Sequence, residues 1–340
     1  MKQFALAAAL GLAALLSPPR AEAGPTVDAI KARGALICGV RESAVGFAHQ
    51  LADGKYAGIA VDICRAISIA ILGDATKAKF VPLQADKRFP ALKAGEVDIL
   101  ISGSTFTMTR EVELGFEFPA IYLYDGQGIM LPRKLGKRSA KELNGVSICV
   151  TSGTTHERNL ANYFRENKRT YKPMAIAKIE DLRSAFFGGK CDALSADATA
   201  LYAMRAAYAP NPAEYIIVPE LLSKEPLSLI VRRDDLQFSS IARWTFYAMV
   251  QAEEDGITSK NVDDKLKSED PDIRRLLGVK PGQGKALGLD DDWVYKIVKQ
   301  VGNYGESFER NLGGGSPLKV ARGLNALWSQ GGMQYAPPLH

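Results

Sequence analysis

Short apolar runs, bounded by Gly, Pro and charged clusters, recur along the chain and alternate with stretches of helical period. Leu36-Ile37-Cys38-Gly39-Val40, Phe80-Val81-Pro82-Leu83, Val97-Asp98-Ile99-Leu100-Ile101, Val146-Ser147-Ile148-Cys149-Val150 and the run from Cys191 to Ser195 read as strands. Between the first two, Ile63, Ile67 and Ile71 fall at helical spacing and predict an amphipathic helix against a sheet. Further helices are predicted over Lys87–Ala94, from Thr155 through Phe164 and around Phe238 to Ala252. This β-α-β-α-β opening belongs to an α/β fold. Ile121 to Pro132, with Gly126 and Gly128 inside it, reads as an extended crossing, and Leu227-Ser228-Leu229-Ile230-Val231 as a second. Two helical patterns follow in the tail, near Asp292–Val301 and Leu318–Trp328, with Gly313-Gly314-Gly315 between them.

The amino terminus follows a different rule. Phe4 to Leu16 is almost unbroken apolar sequence, too short to span a bilayer, and Ala21-Glu22-Ala23 supplies a small-residue cleavage site. Residues 1–23 are therefore expected to be a signal peptide. No Cys stands at the cleavage point for a lipid anchor, and no later run reaches eighteen apolar residues, so an exported, soluble chain is expected. Hydrophobic residues make up 46%, a globular composition, and the length suits two lobes. A net charge of +5 with no Lys/Arg block gives no case for nucleic acid. Four cysteines, Cys38, Cys64, Cys149 and Cys191, suggest disulfides in an exported chain, with three pairings possible. Zinc competes poorly, since there is no C-x-x-C and no nearby His.

The candidate chemistry gathers at strand ends. Ser102-Gly103-Ser104-Thr105-Phe106-Thr107-Met108-Thr109-Arg110 follows the strand at 97–101 and offers backbone N–H groups, hydroxyls and one guanidinium. Ligands of open α/β sheets bind at such carboxyl ends, and Arg suits a carboxylate. Thr151-Ser152-Gly153-Thr154-Thr155 turns into a helix, where unpaired N–H groups favour an anion. Asp197 stands at the end of the 191–195 strand. Each feature taken singly is also ordinary helix capping.

In that order, SGSTFTMTR, TSGTT and GGKCDALSAD at 188–197 resemble the periplasmic solute-binding proteins of polar amino-acid ABC importers, over nearly the whole chain. The resemblance implies a two-lobed, type II-like periplasmic-binding-protein fold with two hinge crossings and a helical C-terminal extension. Lobe 1 with the extension would be residues 24–126 and 226–340, and lobe 2 residues 127–225. On this division Cys38 and Cys64 share one lobe and Cys149 and Cys191 the other, so pairings 38–64 and 149–191 are expected, with free buried thiols as the alternative. The resemblance also implies that Arg110, with Gly103, Thr105 and the Thr154/Thr155 turn, holds an L-amino acid's α-carboxylate while Asp197 accepts its ammonium. Arg41, in a loop similar to that of glutamate/aspartate-binding members, and Arg88 would neutralise a side-chain carboxylate, favouring Glu and Asp, then Gln and Asn. Arg41 paired with Glu42 or Glu220 on the surface is the alternative, and Ala44 replaces the aromatic lid many members use. Ala60 departs from the glycine-hydrophobic-Asp-x-Asp entry, of which Asp62 remains.

A monomer that delivers its ligand to a membrane permease powered by a separate ATPase is implied, with no cofactor or metal. Gly313-Gly314-Gly315-Ser316 lacks the Lys-Ser/Thr of a phosphate-binding loop. The competing classes are a broad-specificity neutral amino-acid binder, and a lyase, hydrolase or sensory lobe on the same fold. His156, followed by Glu157, is the one conceivable general acid, but it is expected to start the helix and face solvent or the cleft rim.

Overall fold

The apolar runs pair into two separate sheets. The computed structural model describes residues 24–339, so the expected signal peptide lies outside the described residues. The first part of the chain contributes α1 (Pro25–Arg33), β1 (Leu36–Arg41), the small hairpin of β2 (His49–Gln50) and β3 (Tyr56–Ala57), α2 (Ile59–Leu72), β4 (Ala78–Leu83), α3 (Arg88–Lys93), β5 (Ile99–Thr105), β6 (Phe116–Glu117) and β7 (Ile121–Asp125). After Gly126 come β8 (Gln127–Pro132), β9 (Val146–Thr151), α4 (Thr155–Glu166), β10 (Tyr171–Ile176), α5 (Ile179–Phe187), β11 (Ala193–Asp197), α6 (Ala198–Tyr208) and β12 (Tyr215–Ile217). The chain then returns through β13 (Glu225–Arg232) to α7 (Leu236–Glu254) and a tail of five short helices, α8 (Val262–Lys265), α9 (Pro271–Leu276), α10 (Gln283–Leu287), α11 (Trp293–Gln300) and α12 (Tyr304–Asn311).

One sheet has the order β4-β1-β5-β13-β6 with β7 also on β13, and the other β10-β9-β11-β8-β12. In each, the strands feeding the cleft are parallel (β1 with β4 and β5, β9 with β10 and β11), so Arg41, Thr105, Thr151 and Asp197 all stand at carboxyl ends. The two sheets exchange chain at Gly126 and again between β12 and β13. Gly126 is required by that geometry, because a Cβ there would lie 2.8 Å from Leu221 and from the Ser223 carbonyl of the second crossing. The Cys38–Cys64 bond ties β1 to α2, and Cys149–Cys191 ties β9 to the approach to β11. The loops they close span 26 and 42 residues, each worth roughly 3–4 kcal/mol of unfolded-state entropy.

Three elements differ from expectation. β5 does not stop at Ile101 but continues through Ser102–Thr105, because Ser104 and Thr105 pair with Ser228 and Leu227 of the distant β13. Between Leu100 and Ser104 the ladder skips Ile101, Ser102 and Gly103 against Leu229 alone, a bulge with Gly103 at φ +65°. Second, α2 is buried nearly all round instead of amphipathic, since α7, α11 and α12 cover the face away from the sheet. Its Asp62 accepts from Ser307, Arg310 and Asn311, at 2.6–2.9 Å. Third, Leu318–Trp328 is not a continuous helix; Lys319 and Gly323 have positive φ, and the segment holds only the single turn Gly323–Asn325 and the start of another, Trp328–Gln330. The helix that follows α11 is instead α12, opened by a capping box between Asn303 and Glu306.

Candidate functional site

The cleft between the sheets closes over a cavity with about 540 Å³ of free space, part of it open to solvent. Arg41, Arg88, Gly103, Thr105, Arg110, Thr154, Thr155 and Asp197 all line it, so the structure brings together every residue that the sequence assigned to a ligand. Glu42, Thr151 and His156 line it as well.

Lobe 1 supplies the cations. Arg41 ends β1, Arg88 opens α3, and Arg110 sits in a wide helical turn over Thr109–Glu113. Arg88 and Arg110 each lie 5.1 Å from the centre of the Phe89 ring, which holds both planes by cation–π attraction. Arg110 Nη1 donates to the Thr105 carbonyl at 2.7 Å. Arg41 meets Asp197 at 3.6 Å, and pairs with neither Glu42 nor Glu220 among the described residues. Burial, with Arg110 and Arg41 adding like charge, lowers Arg88 to about 9. Burial lowers Arg110 as well, against the pull of Glu225 and Asp197.

Lobe 2 supplies a helix end and a carboxylate. No side chain caps α4; Thr154 Oγ1 turns back to donate to the Thr151 carbonyl at 2.7 Å, which leaves the first-turn N–H groups for an anion. Asp197 Oδ1 faces His156 Nε2 at 3.1 Å. Burial opposes the charge on Asp197, but His156, Arg41 and Arg88 outweigh it and hold the carboxyl below its ordinary range. His156 is thus buried at the floor of the site, where solvent or the rim was expected. Burial, with the Asp197 charge adding to it, pushes the neighbouring Asp125 up to about 7.

Glu225 was missed by sequence reasoning. It begins β13, is buried, and accepts from Thr105 Oγ1, from Thr155 Oγ1 at 3.0 Å, from Asn159 at 2.6 Å and from Ser223 at 2.7 Å. The two threonine hydroxyls therefore donate to Glu225 and not toward the cavity, so from this turn an anion would be met by backbone N–H groups. Little local flags Glu225, because three of its four partners come from two distant segments, the end of β5 and the start of α4. Phe89 was visible as the neighbour of Arg88 but carried no signal of its own.

His156, Asp197 and Glu225 bring ligating atoms within 4.8 Å of one another, which is the one candidate metal cluster among the described residues. The three guanidiniums lining the same cavity, and the four donors already on Glu225, oppose a cation there. Arg88 Nε, Thr151 Oγ1 and His156 Nδ1 are buried without a hydrogen-bond partner, polar atoms of the kind a polar ligand satisfies. Past Arg41 and Ile179 the cleft continues into a mainly apolar compartment, bordered by Ala44, Ala203 and Tyr208, with about 280 Å³ of free space, part of it open to solvent.

The chain is similar to known proteins over most or all of its length. The model of the bacterial extracellular solute-binding proteins, family 3, matches residues 36–285. The chain is 47% identical to the general L-amino acid-binding periplasmic protein AapJ of Rhizobium johnstonii, over the full length of both. It is 47% identical to the glutamate/glutamine/aspartate/asparagine-binding protein BztA of Rhodobacter capsulatus, over 99% of each chain. Among solved structures it is similar to an ABC transporter periplasmic binding protein from Brucella ovis with glutathione bound, with 50% identity and a TM-score of 0.91, over 93% of this chain and 99% of that one.

Proposed function

Because this chain belongs to the bacterial extracellular solute-binding proteins, family 3, we propose that the cleft binds an L-amino acid with an acidic side chain, glutamate and aspartate ahead of glutamine and asparagine. The chain is a periplasmic amino-acid-binding component of an ABC importer and not an enzyme. The observation that carries the ligand reading is an excess of buried cation. Three guanidiniums line the cavity with Asp197 and the half-buried Glu42, the Glu225 carboxylate behind the wall is already taken up by four donors, and neither the Arg41 nor the Arg88 guanidinium donates a hydrogen bond to another described residue. Unpaired buried charge is costly, so a ligand that brings two carboxylates and one ammonium relieves it best. In this reading Arg110 and the α4 N–H groups hold the α-carboxylate, Asp197 the ammonium, and Arg88 with Arg41 the side-chain carboxylate; Gly103 and Thr105 shape the wall behind them.

Lobe 1 would take the amino acid first, and the lobe 2 contacts exist only on closure. That difference in contacts is what lets a ligand shift the open–closed balance. The closed form is the one a membrane permease would recognise, with the binding protein acting as a monomer. A thermal-shift screen of the exported chain, residues 24–340, across the twenty amino acids tests the ligand class, since a ligand of the folded form raises Tm. Glutamate and aspartate should give the largest rises and lysine and arginine none. A larger rise with a neutral or basic amino acid would remove the acidic reading.

The compartment past Arg41 supports a second reading, a longer ligand carrying a γ-glutamyl group. Glutathione, which the Brucella ovis relative holds, has that chemistry. Adding glutathione to the same screen separates the two.

A further inference from the structure

Residues 256–339 contribute no side chain to the cleft cavity, yet three of their side chains are bonded to the backbone of β7, the strand that leads into the first crossing. β7 pairs with β13 along one edge only. On the other edge Asn325 stands in for a neighbouring strand: Tyr124 N–H donates to its Oδ1 at 2.7 Å, and its Nδ2 donates to the Tyr124 carbonyl at 3.0 Å. Two residues earlier, Tyr304 Oη donates to the Tyr122 carbonyl at 2.9 Å and Gln334 Nε2 to the same oxygen at 3.4 Å. All three side chains are buried. Asn325 is itself held, because Arg322 donates to its carbonyl while pairing with Glu253 of α7 at 2.9 Å.

What β7 holds in turn reaches the ligand cavity from both lobes. The Tyr122 hydroxyl accepts from Gly103 N–H at 3.1 Å, fixing the bulged residue of β5 that lines the cavity. At the end of β7, Asp125 accepts from Thr199 N–H at 3.2 Å, and the next carbonyl, that of Gly126, accepts from Ala198 N–H at 2.8 Å. Those two amides begin α6, directly after Asp197. One strand therefore joins the tail to Gly103 on lobe 1 and to the helix start beside Asp197 on lobe 2.

We infer that the C-terminal extension is a hinge brace, in which Tyr304, Asn325 and Gln334 are positioning residues that keep β7 in the register where Gly103 and Asp197 face one ligand. The inference rests on the cleft being the ligand site, but not on the acidic preference. The test uses the ligand-free chain, residues 24–340, with amide exchange resolved residue by residue. Asn325→Ala should speed exchange at Gly103 and Thr199 about tenfold, and Gln334→Ala, the milder change, should speed it at the same amides by less. Arg310→Ala cuts another anchor of the tail, the contact with Asp62, and should leave both amides at the wild-type rate. With L-glutamate as probe, Kd should rise about fivefold or more in Asn325→Ala and stay unchanged in Arg310→Ala. Faster exchange confined to Tyr124 and the tail, or equal in the Arg310 variant, overturns the brace. A wild-type protein that ignores L-glutamate removes the acidic reading alone, and the amides still decide the brace.

Discussion

The two lobes bring opposite kinds of group to the cleft and hold them by different means. Lobe 1 presents Arg41, Arg88 and Arg110, two of them seated on one phenyl ring, on a sheet backed by a large core of α2, α7, α11 and α12. Lobe 2 presents an uncapped helix start and a carboxylate steadied by His156, over two smaller cores on either face of its sheet. Direct contacts between the lobes are thin. Glu225, at the second crossing, accepts from Thr105 of one lobe and from Thr155 of the other, Arg41–Asp197 is 3.6 Å, and Arg183 and Tyr208 reach the Ser43 carbonyl, at 3.3 and 3.2 Å. In the proposed reading one lobe takes the ligand first and the other is recruited by the ligand's second charged end. A ligand that touches both lobes interacts differently with the open and closed forms, which closure requires.

Breaking the lobe 1 side should cost most. Arg110→Ala removes the cation expected to hold the α-carboxylate, and ~3–5 kcal/mol of binding should be lost, more than a hundredfold in Kd. Calorimetric titration checks this, and an unchanged affinity would take Arg110 out of the site. On lobe 2, Asp197→Asn keeps the shape but deletes the charge that meets the ammonium. A charge-assisted bond is worth ~1.5–3 kcal/mol, so Kd should weaken by about ten- to a hundredfold. If that variant bound as tightly as wild type, the lobes would not be gripping opposite ends of one solute.

Two smaller effects sharpen the contrast. Arg41→Ala should weaken glutamate by about tenfold while leaving glutamine within a few-fold, because only glutamate presents a second carboxylate. Equal losses would make Arg41 part of the lobe contact and nothing more. The smallest effect concerns stability. Burial raises Asp125 from the ordinary carboxylate range to about 7, so the folded state favours its protonated form. Its contribution is complete at low pH and lost as pH rises through about 7, so stability should decline between roughly pH 4 and 7 from this group. Asp125→Asn keeps an oxygen for the Thr199 N–H and should flatten that decline in urea unfolding curves. A wild-type and variant difference that does not change with pH would show that Asp125 does not titrate in this window.

Much of this arrangement was legible because it is written in local pattern. The strands ending near Arg41, Thr151 and Asp197 are apolar runs closed by polar residues, and six residues chosen from three motifs line one cavity together with Arg41 and Arg88. What stayed hidden depends on partners far along the chain. The continuation of β5 through Thr105 is imposed by β13 more than a hundred residues later, and a Ser/Thr-rich segment has no strand pattern of its own. His156 reads as a surface residue until Asp197 is placed beside it, and Glu225 as a loop acid until Thr105, Thr155 and Asn159 converge on it. The tail was misread for a local reason. Leu318–Trp328 has helical spacing but needs positive φ at Lys319 and Gly323, whereas the capping pair Asn303 and Glu306 marked α12 and was passed over.

The central claim is that surplus guanidinium in the cleft selects a second carboxylate on the ligand. Paired calorimetric titrations of the wild-type chain, residues 24–340, with L-glutamate and L-glutamine at pH 7 test it directly, because the two ligands match in shape and differ in that charge and in one acceptor oxygen exchanged for an NH2 donor. The charge account predicts glutamate tighter by about tenfold or more, with the gap narrowing as salt is raised only to the extent that the site is open to solvent. Glutamine binding as tightly as glutamate, or more tightly, would contradict it.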